Sequence, residues 1–437
     1  MVAAIIELND HEVRIAQAGA IVARSPAAAI INGNNIEVGT AASDQAQLHP
    51  REFHNRFWYQ LDQASLRRPT RVARHHADLA FKHLEQLHSE AGKPEAVVWA
   101  IPGGYGKEQL AMLLGIAEAC KIRTIALVDA AVASAAAEVG PGHYQHVEMQ
   151  LHRAVITGLD VGTDVERGRI ESVDGAGFDK LNARLVAFVA DQFLAQSRFD
   201  PLHQASTEQL LYNELPNWLD LLGKQREIKV HIEFRRARFE ARIARDDVIA
   251  VADPVYQDIR DRLQAHATCL VGSRLAGMPG FRDHRGNLTA LSETSVFTGC
   301  EALAASTPTT EAGLSLITSL PASAAPAIVA HKDKPAGHEP SRLKPTHILI
   351  GPRAFPLSPA GLYLSADGTI SDHANAHTIA HARLTSDGAV IASANSANVR
   401  LNGLPITESA FGAGDEVTVE GGTPMYFPIC VTDPDAP

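Results

Sequence analysis

Glu7-Leu8-Asn9-Asp10-His11 and Glu148-Met149-Gln150-Leu151-His152-Arg153 are the two stretches on which the reading of this chain turns. Each follows or sits in a strand-like run, and neither contains a glycine. A loop that grips phosphate needs glycine, because the anion must approach backbone N–H groups with no Cβ in the way. Leu151 and His152 would fill that space, and Asp10 would set a carboxylate against it.

The surroundings of these stretches alternate strand and helix signals through about residue 300. Ala96 to Ile101 is an apolar run that stops at Pro102-Gly103-Gly104, as a buried strand does when it meets a loop. Ala77, Phe81, Leu84 and Leu87 before it recur at helical spacing, as do Leu110, Leu113, Leu114 and Ala117 after it. Arg123 to Val128 reads as a strand and Ala130 to Ala137 as an alanine-rich helix. Phe178, Leu181, Leu185, Phe188 and Gln192 share one helix face. Such alternation predicts an α/β fold with sheets covered by helices.

After about residue 305 the composition shifts. Residues 306–345 are rich in proline, alanine and serine and read as a linker, within which Leu314 to Ile317 is a candidate to pack on the first domain. From Thr346 onward short β-type runs replace the helical period, separated by turns such as Ala366-Asp367-Gly368 and Asn402-Gly403. That pattern predicts a small β-sandwich or barrel. The expected organisation is 1–305, a linker at 306–345, and 346–437.

The whole chain has 437 residues, 45% hydrophobic and 20% charged, with a net charge of −11. The acidic balance argues against general nucleic-acid affinity, which needs lysine and arginine to displace counterions. No run reaches the roughly 18–20 apolar residues of a membrane span, and the N-terminal stretch does not read as a secretory signal. Cys120, Cys269, Cys300 and Cys430 lie far apart and read as reduced, mostly buried thiols, which predicts a cytoplasmic location.

Several stretches carry a resemblance. Ser25 to Ile31 with Asn34 to Ala42, then Ala100 to Tyr105, Val128 to Ala135, Gly175 to Leu181, and Leu270 to Leu275 with Met278-Pro279-Gly280 occur in a shared order over about 300 residues. In that order they resemble the ATPase domain of the DnaK-type heat-shock chaperones, a member of the actin-like fold. The resemblance implies two lobes with ribonuclease-H-like subdomains around a nucleotide cleft. It places Glu7 to His11 and Glu148 to Arg153 at the two phosphate loops, with Glu7, Asp10 and Glu148 as degenerate loop positions. No lysine stands within Arg56 to Gln60, where the family's catalytic lysine would lie. Gly272, Ser273 and Arg274 match a residual nucleotide turn. Losing several phosphoryl-transfer parts at once predicts no turnover, because that chemistry is positioning plus charge neutralisation. Asp160-Val161-Gly162-Thr163 mimics a phosphate loop, but Gly158, Gly162 and Gly168 read better as part of a β-hairpin.

Ile350 to Arg353, His381 to Leu384, Val399 to Gly403 and Ala413 to Val417 resemble a forkhead-associated domain, a phosphothreonine-reading β-sandwich. The resemblance makes Arg353, Arg383 and Asn402 a candidate recognition face. His373, His377 and His381 are spaced by four, but a four-residue step along a strand covers about 13 Å, too far for one metal. The basic-aromatic stretch Arg51 to Tyr59 reads as a packed hairpin.

The leading expectation is a non-catalytic, chaperone-like pseudo-ATPase plus a forkhead-like β-module, acting as a cytosolic scaffold or adaptor toward protein partners. No cofactor, nucleic acid or membrane is expected, and a homo-oligomer is compatible with the fold. The alternatives are a divergent protein that still binds ATP and magnesium, and a phosphopeptide-binding adaptor.

Overall fold

The computed structural model describes residues 3–264, 267–283, 287–305, 314–322, 345–350, 353–365, 369–375, 377–385, 388–393, 399–401, 404–406, 408–411, 417–419 and 425–429. The chain divides into two compact units, Met1–His331 and Lys332–Pro437. The first is mixed α/β. The second is all-β among its described residues.

The first unit holds two six-stranded sheets built on one plan. In the first sheet the strands Ala4–Glu7, Glu12–Gln17 and Ala20–Pro26 form an antiparallel meander. Ala4–Glu7 then pairs in parallel with Ala96–Ile101, which pairs in parallel with Arg123–Asp129. In the second sheet Gly142–Met149, Arg153–Val161 and Asp164–Asp174 form the meander. Gly142–Met149 then pairs in parallel with Thr268–Val271, and that strand with Leu288–Ala290. Strand order, direction and connection of the five core strands are thus the same in both.

Burial explains the layers. Ala96–Ile101 is buried at all six positions, as a central parallel strand covered on both faces must be. One face of the first sheet is covered by the helices His76–Glu90 and Lys107–Ala119, through Leu79, Leu84, Leu87 and Leu113. A helix pair, Ala130–Glu138 and Ser295–Ala305, shares a core with residues of both sheets, among them Val98, Val128, Leu159 and Leu270. These two helices cross so closely that a Cβ on Gly299 would lie 1.9 Å from the Ala133 carbonyl oxygen. The alanine-rich composition of 130–137 is what permits that approach. The second sheet packs on the helices Phe178–Ser197, Ala205–Leu222 and Arg245–Arg260 and on the hairpin Glu227–Phe234/Ala237–Ala244.

Part of the expected linker belongs to this unit. Leu316–Ile317 joins the edge of the first sheet beside Arg123–Asp129, and Ser319–Pro321 joins the edge of the second beside Asp164–Asp174. The stretch Arg51 to Tyr59 is not a hairpin. It is a two-residue strand, Phe53–His54, followed by the short helix Phe57–Gln60, whose Phe57 and Trp58 are fully buried. Gly162 does turn a hairpin, and Gly158 and Gly168 face each other at a bulge within it.

The second unit is a small β-sandwich. Its two antiparallel sheets share one core that includes Ile348, Leu364, Ala380, Ile391, Val399 and Phe411.

Candidate functional site

The first turns of the two sheets meet. Leu8 to His11 joins Ala4–Glu7 to Glu12–Gln17, and Gln150 to His152 joins Gly142–Met149 to Arg153–Val161. Asp10 Oδ1 accepts a hydrogen bond from the Leu151 backbone N–H at 2.6 Å, and Asn9 Nδ2 donates to Glu148 Oε1 at 2.7 Å. The Asn9 carbonyl oxygen Oδ1 also takes the His11 backbone N–H at 2.9 Å, which fixes the local turn.

Two further segments close on the second turn. At the start of the helix Phe178–Ser197, the N–H groups of Phe178 and Asp179 donate to the carbonyls of Gln150 and Leu151, at 3.0 and 2.8 Å. A Cβ on Gly177 would sit 2.3 Å from the Leu151 carbonyl oxygen, so only glycine permits this abutment. His11 stacks on Phe178 with ring centres 4.4 Å apart. From the other side, His152 Nε2 donates to the Asn55 carbonyl at 3.1 Å, and the Arg153 guanidinium lies 5.1 Å from the centre of the Tyr59 ring. The N–H groups of Gln150, Leu151, Phe178 and Asp179 are thus all taken by protein acceptors. Asp10 Oδ2 and Arg153 Nη2 are buried with no hydrogen-bond partner among the described residues.

Beside the turns lies a charge cluster. The buried Glu7 and Arg14 side chains pair across adjacent strands, and Arg14 also donates to the Glu293 carbonyl at 3.1 Å. Arg274 reaches Glu12 at 2.9 Å and Glu7 at 3.8 Å. Burial alone would lift the Glu7 carboxyl, but the Arg274 and Arg14 guanidiniums outweigh it and hold it below the usual range. Glu148 goes the other way: burial and the charge of Glu7 push it up to about 8. Burial pushes the neighbouring His146 down to about 4. Asp10 is held above the ordinary carboxylate range by burial, against the Leu151 N–H and the nearby His152 and Arg153.

The fold gathers Glu7, Glu148, Gly272, Ser273 and Arg274 around one small cavity of about 50 Å³. A typical small-molecule site is roughly 300–1,000 Å³, several times larger than this cavity. Gly272 precedes the short helix Ser273–Ala276, and Arg274 points its guanidinium at carboxylates. Asp10 stands next to this cavity in the turn contact. In the second unit Arg353 and Arg383 are exposed and lie on different sheets, with Arg383 3.6 Å from Glu408. Asn402 lies outside the described residues. Among the described residues no group of three metal-ligating side chains is assembled, and His381 stacks on Tyr363 instead.

No protein-family model matches this chain, and a search of curated proteins returns no match.

Asn55, Tyr59, Gly177 and Phe178 belong to the site. Tyr59 and Asn55 lay within a stretch read as packing, and Gly177 within a motif read only for resemblance. The usable signal was the concentration of aromatic and basic residues at Arg51 to Tyr59.

Proposed function

We propose that the chain is a non-catalytic, actin-like and chaperone-like pseudo-ATPase carrying a forkhead-like β-module, and that it acts as a scaffold or adaptor through protein contacts. The duplicated five-strand order of the two sheets supports the actin-like assignment. The observation that carries the loss of catalysis is the direct bond between the two turns, Asp10 to Leu151. In an actin-like frame those turns face the phosphates, and here they face each other. Phosphoryl transfer needs free backbone donors and a metal to neutralise charge. Here the Leu151 N–H is taken by the Asp10 carboxylate, and the Gln150 N–H by the Arg153 carbonyl.

The test is the melting temperature of the full chain with and without millimolar ATP and magnesium. The expected result is no shift. A ligand at one hundred times its Kd adds about 2.7 kcal/mol of stability, a rise of several degrees. Such a rise overturns the proposal and favours nucleotide binding through Gly272, Ser273 and Arg274.

A further inference from the structure

The hairpin Glu227–Phe234/Ala237–Ala244 turns through only two residues, Arg235 and Arg236, and both have left-handed backbone, φ 50° and 65°. That is the two-residue turn that asparagine-glycine fills without strain. Arg198, which ends the helix Phe178–Ser197, is also left-handed, at φ 54°. All three arginines are exposed, and none is in an ion pair with a described residue. Arg198 and Arg235 line a pocket of about 390 Å³, and Arg236 follows Arg235 in the turn. Its aromatic members are Phe199, stacked on Phe239 at 4.0 Å and nearly parallel, and Phe234, 6.3 Å from Phe199. Arg235 lies over the Phe234 ring at 5.0 Å. Asp200 lines the same pocket, but its carboxylate is engaged by the Leu202 N–H at 2.9 Å.

We infer that this pocket docks an acidic segment of a partner protein, with one apolar side chain of the segment on the phenylalanines and its carboxylates on the arginines. At the pocket Arg198 and Arg235 outnumber the one carboxylate, Asp200, and Arg236 adds a further positive charge in the adjoining turn, so the rim selects an anion on a chain of net charge −11. Carboxylate and guanidinium pair through two parallel bonds. A nucleic acid would need many more cations and would meet the negative field of the rest of the chain. The proposal rests on the scaffold reading and names the chemistry of one partner.

The experiment is fluorescence anisotropy of the full chain with a labelled Glu-Glu-Phe-Glu-Glu peptide, with its Phe→Ser counterpart, and with a single-stranded oligothymidine of equal charge. The expected Kd for the first is about 10–100 μM, with the other two at least about tenfold weaker. The double variant R235N/R236G removes both charges and installs the residues the turn prefers, so its melting temperature should be equal or higher while peptide binding falls at least about tenfold. Unchanged binding by the variant, or equal binding of the Phe→Ser peptide, overturns the pocket. Tighter binding of the oligothymidine overturns the peptide assignment. A wild type that binds no peptide and shows no ATP shift overturns the pocket and leaves the scaffold reading. An ATP shift with peptide binding intact does the reverse.

Discussion

Asp10 and Leu151 stand 141 residues apart and are joined by a 2.6 Å hydrogen bond from the Leu151 N–H to the Asp10 carboxylate. Each belongs to the turn between the first and second strands of its sheet, so the bond links equivalent points of a duplicated architecture. A glycine at position 10 would leave a gap and free the Leu151 N–H. Side chains close the gap from both directions.

Asp10→Ala leaves the partly buried Leu151 N–H without an acceptor and should cost about 1–3 kcal/mol. Asp10→Asn keeps an acceptor oxygen and should cost less. The carboxyl is held above its ordinary value in the fold, so the unfolded chain ionises first as pH rises. Stability from this group therefore falls as pH climbs through and above the ordinary value. Urea unfolding at pH values below and well above the ordinary carboxylate value reads the effect, and Asp10→Asn should weaken the dependence on pH. A variant Asp10→Ala as stable as the wild type would refute the role given to this bond.

Glu148→Gln should stabilise the protein at neutral and mildly alkaline pH. Between the ordinary glutamate value of 4.5 and about 8 the folded state keeps a proton that the unfolded chain has lost, so stability declines as pH rises. Glutamine retains the oxygen that accepts from Asn9 Nδ2 and cannot ionise. The expected gain in melting temperature is about 2–4 °C at pH 8 and less at pH 5. An equal gain at both values would show that the charge is not the cause.

His83 predicts an acid-sensitive core. The Trp58 indole N–H donates to Nδ1 at 2.8 Å, so the ring proton sits on Nε2 and points to the Ser25 hydroxyl at 2.8 Å. Charging the ring would place a second proton against the indole N–H. Burial lowers the folded value to about 4, while the unfolded ring titrates near 6.5. The stability is present above 6.5 and is lost as pH falls toward 4. His146, also lowered to about 4, adds to the same slope. His83→Gln should be less stable at pH 7.5 by about 1–3 kcal/mol and show a shallower loss down to pH 4.5. An unchanged slope would assign the acid sensitivity elsewhere.

Local pattern made much of this fold legible. Ala96–Ile101 could be read because a strand buried on both faces is a continuous apolar run, and Phe178–Ser197 because its apolar face repeats at helical spacing. The contact of Asp10 with Leu151 was not legible, since nothing near either residue names a partner 141 positions away. Tyr59 was missed because its segment is too short to show a period. The turn at Arg235-Arg236 was hidden for a different reason: arginine is not a turn signal, and only the backbone angles reveal it.

The segment Leu316–Pro321 supplies the last prediction. It pairs Leu316 and Ile317 with Leu127 and Val128 at one sheet edge, and Ser319 to Pro321 with Asp164 to Glu166 at the other. The Thr318 carbonyl between the two strands takes the Arg167 N–H at 2.9 Å. Leu320 is buried in the core shared by the helix pair and both sheets. A chain ending at residue 305 loses these bonds and exposes two strand edges, which template association with other chains. Relative to a chain ending at residue 322, it should lose roughly 3 kcal/mol, from the burial of one leucine and several backbone bonds. It should also elute as larger species on size exclusion. Leu320→Asp in the full chain separates the two contributions, because it removes the buried side chain and leaves the strand pairing available. If it lowers the melting temperature without enlarging the species, burial sets the stability and the covered edges set the solubility. If the chain ending at 305 matches the longer one in both measurements, the strap contributes neither.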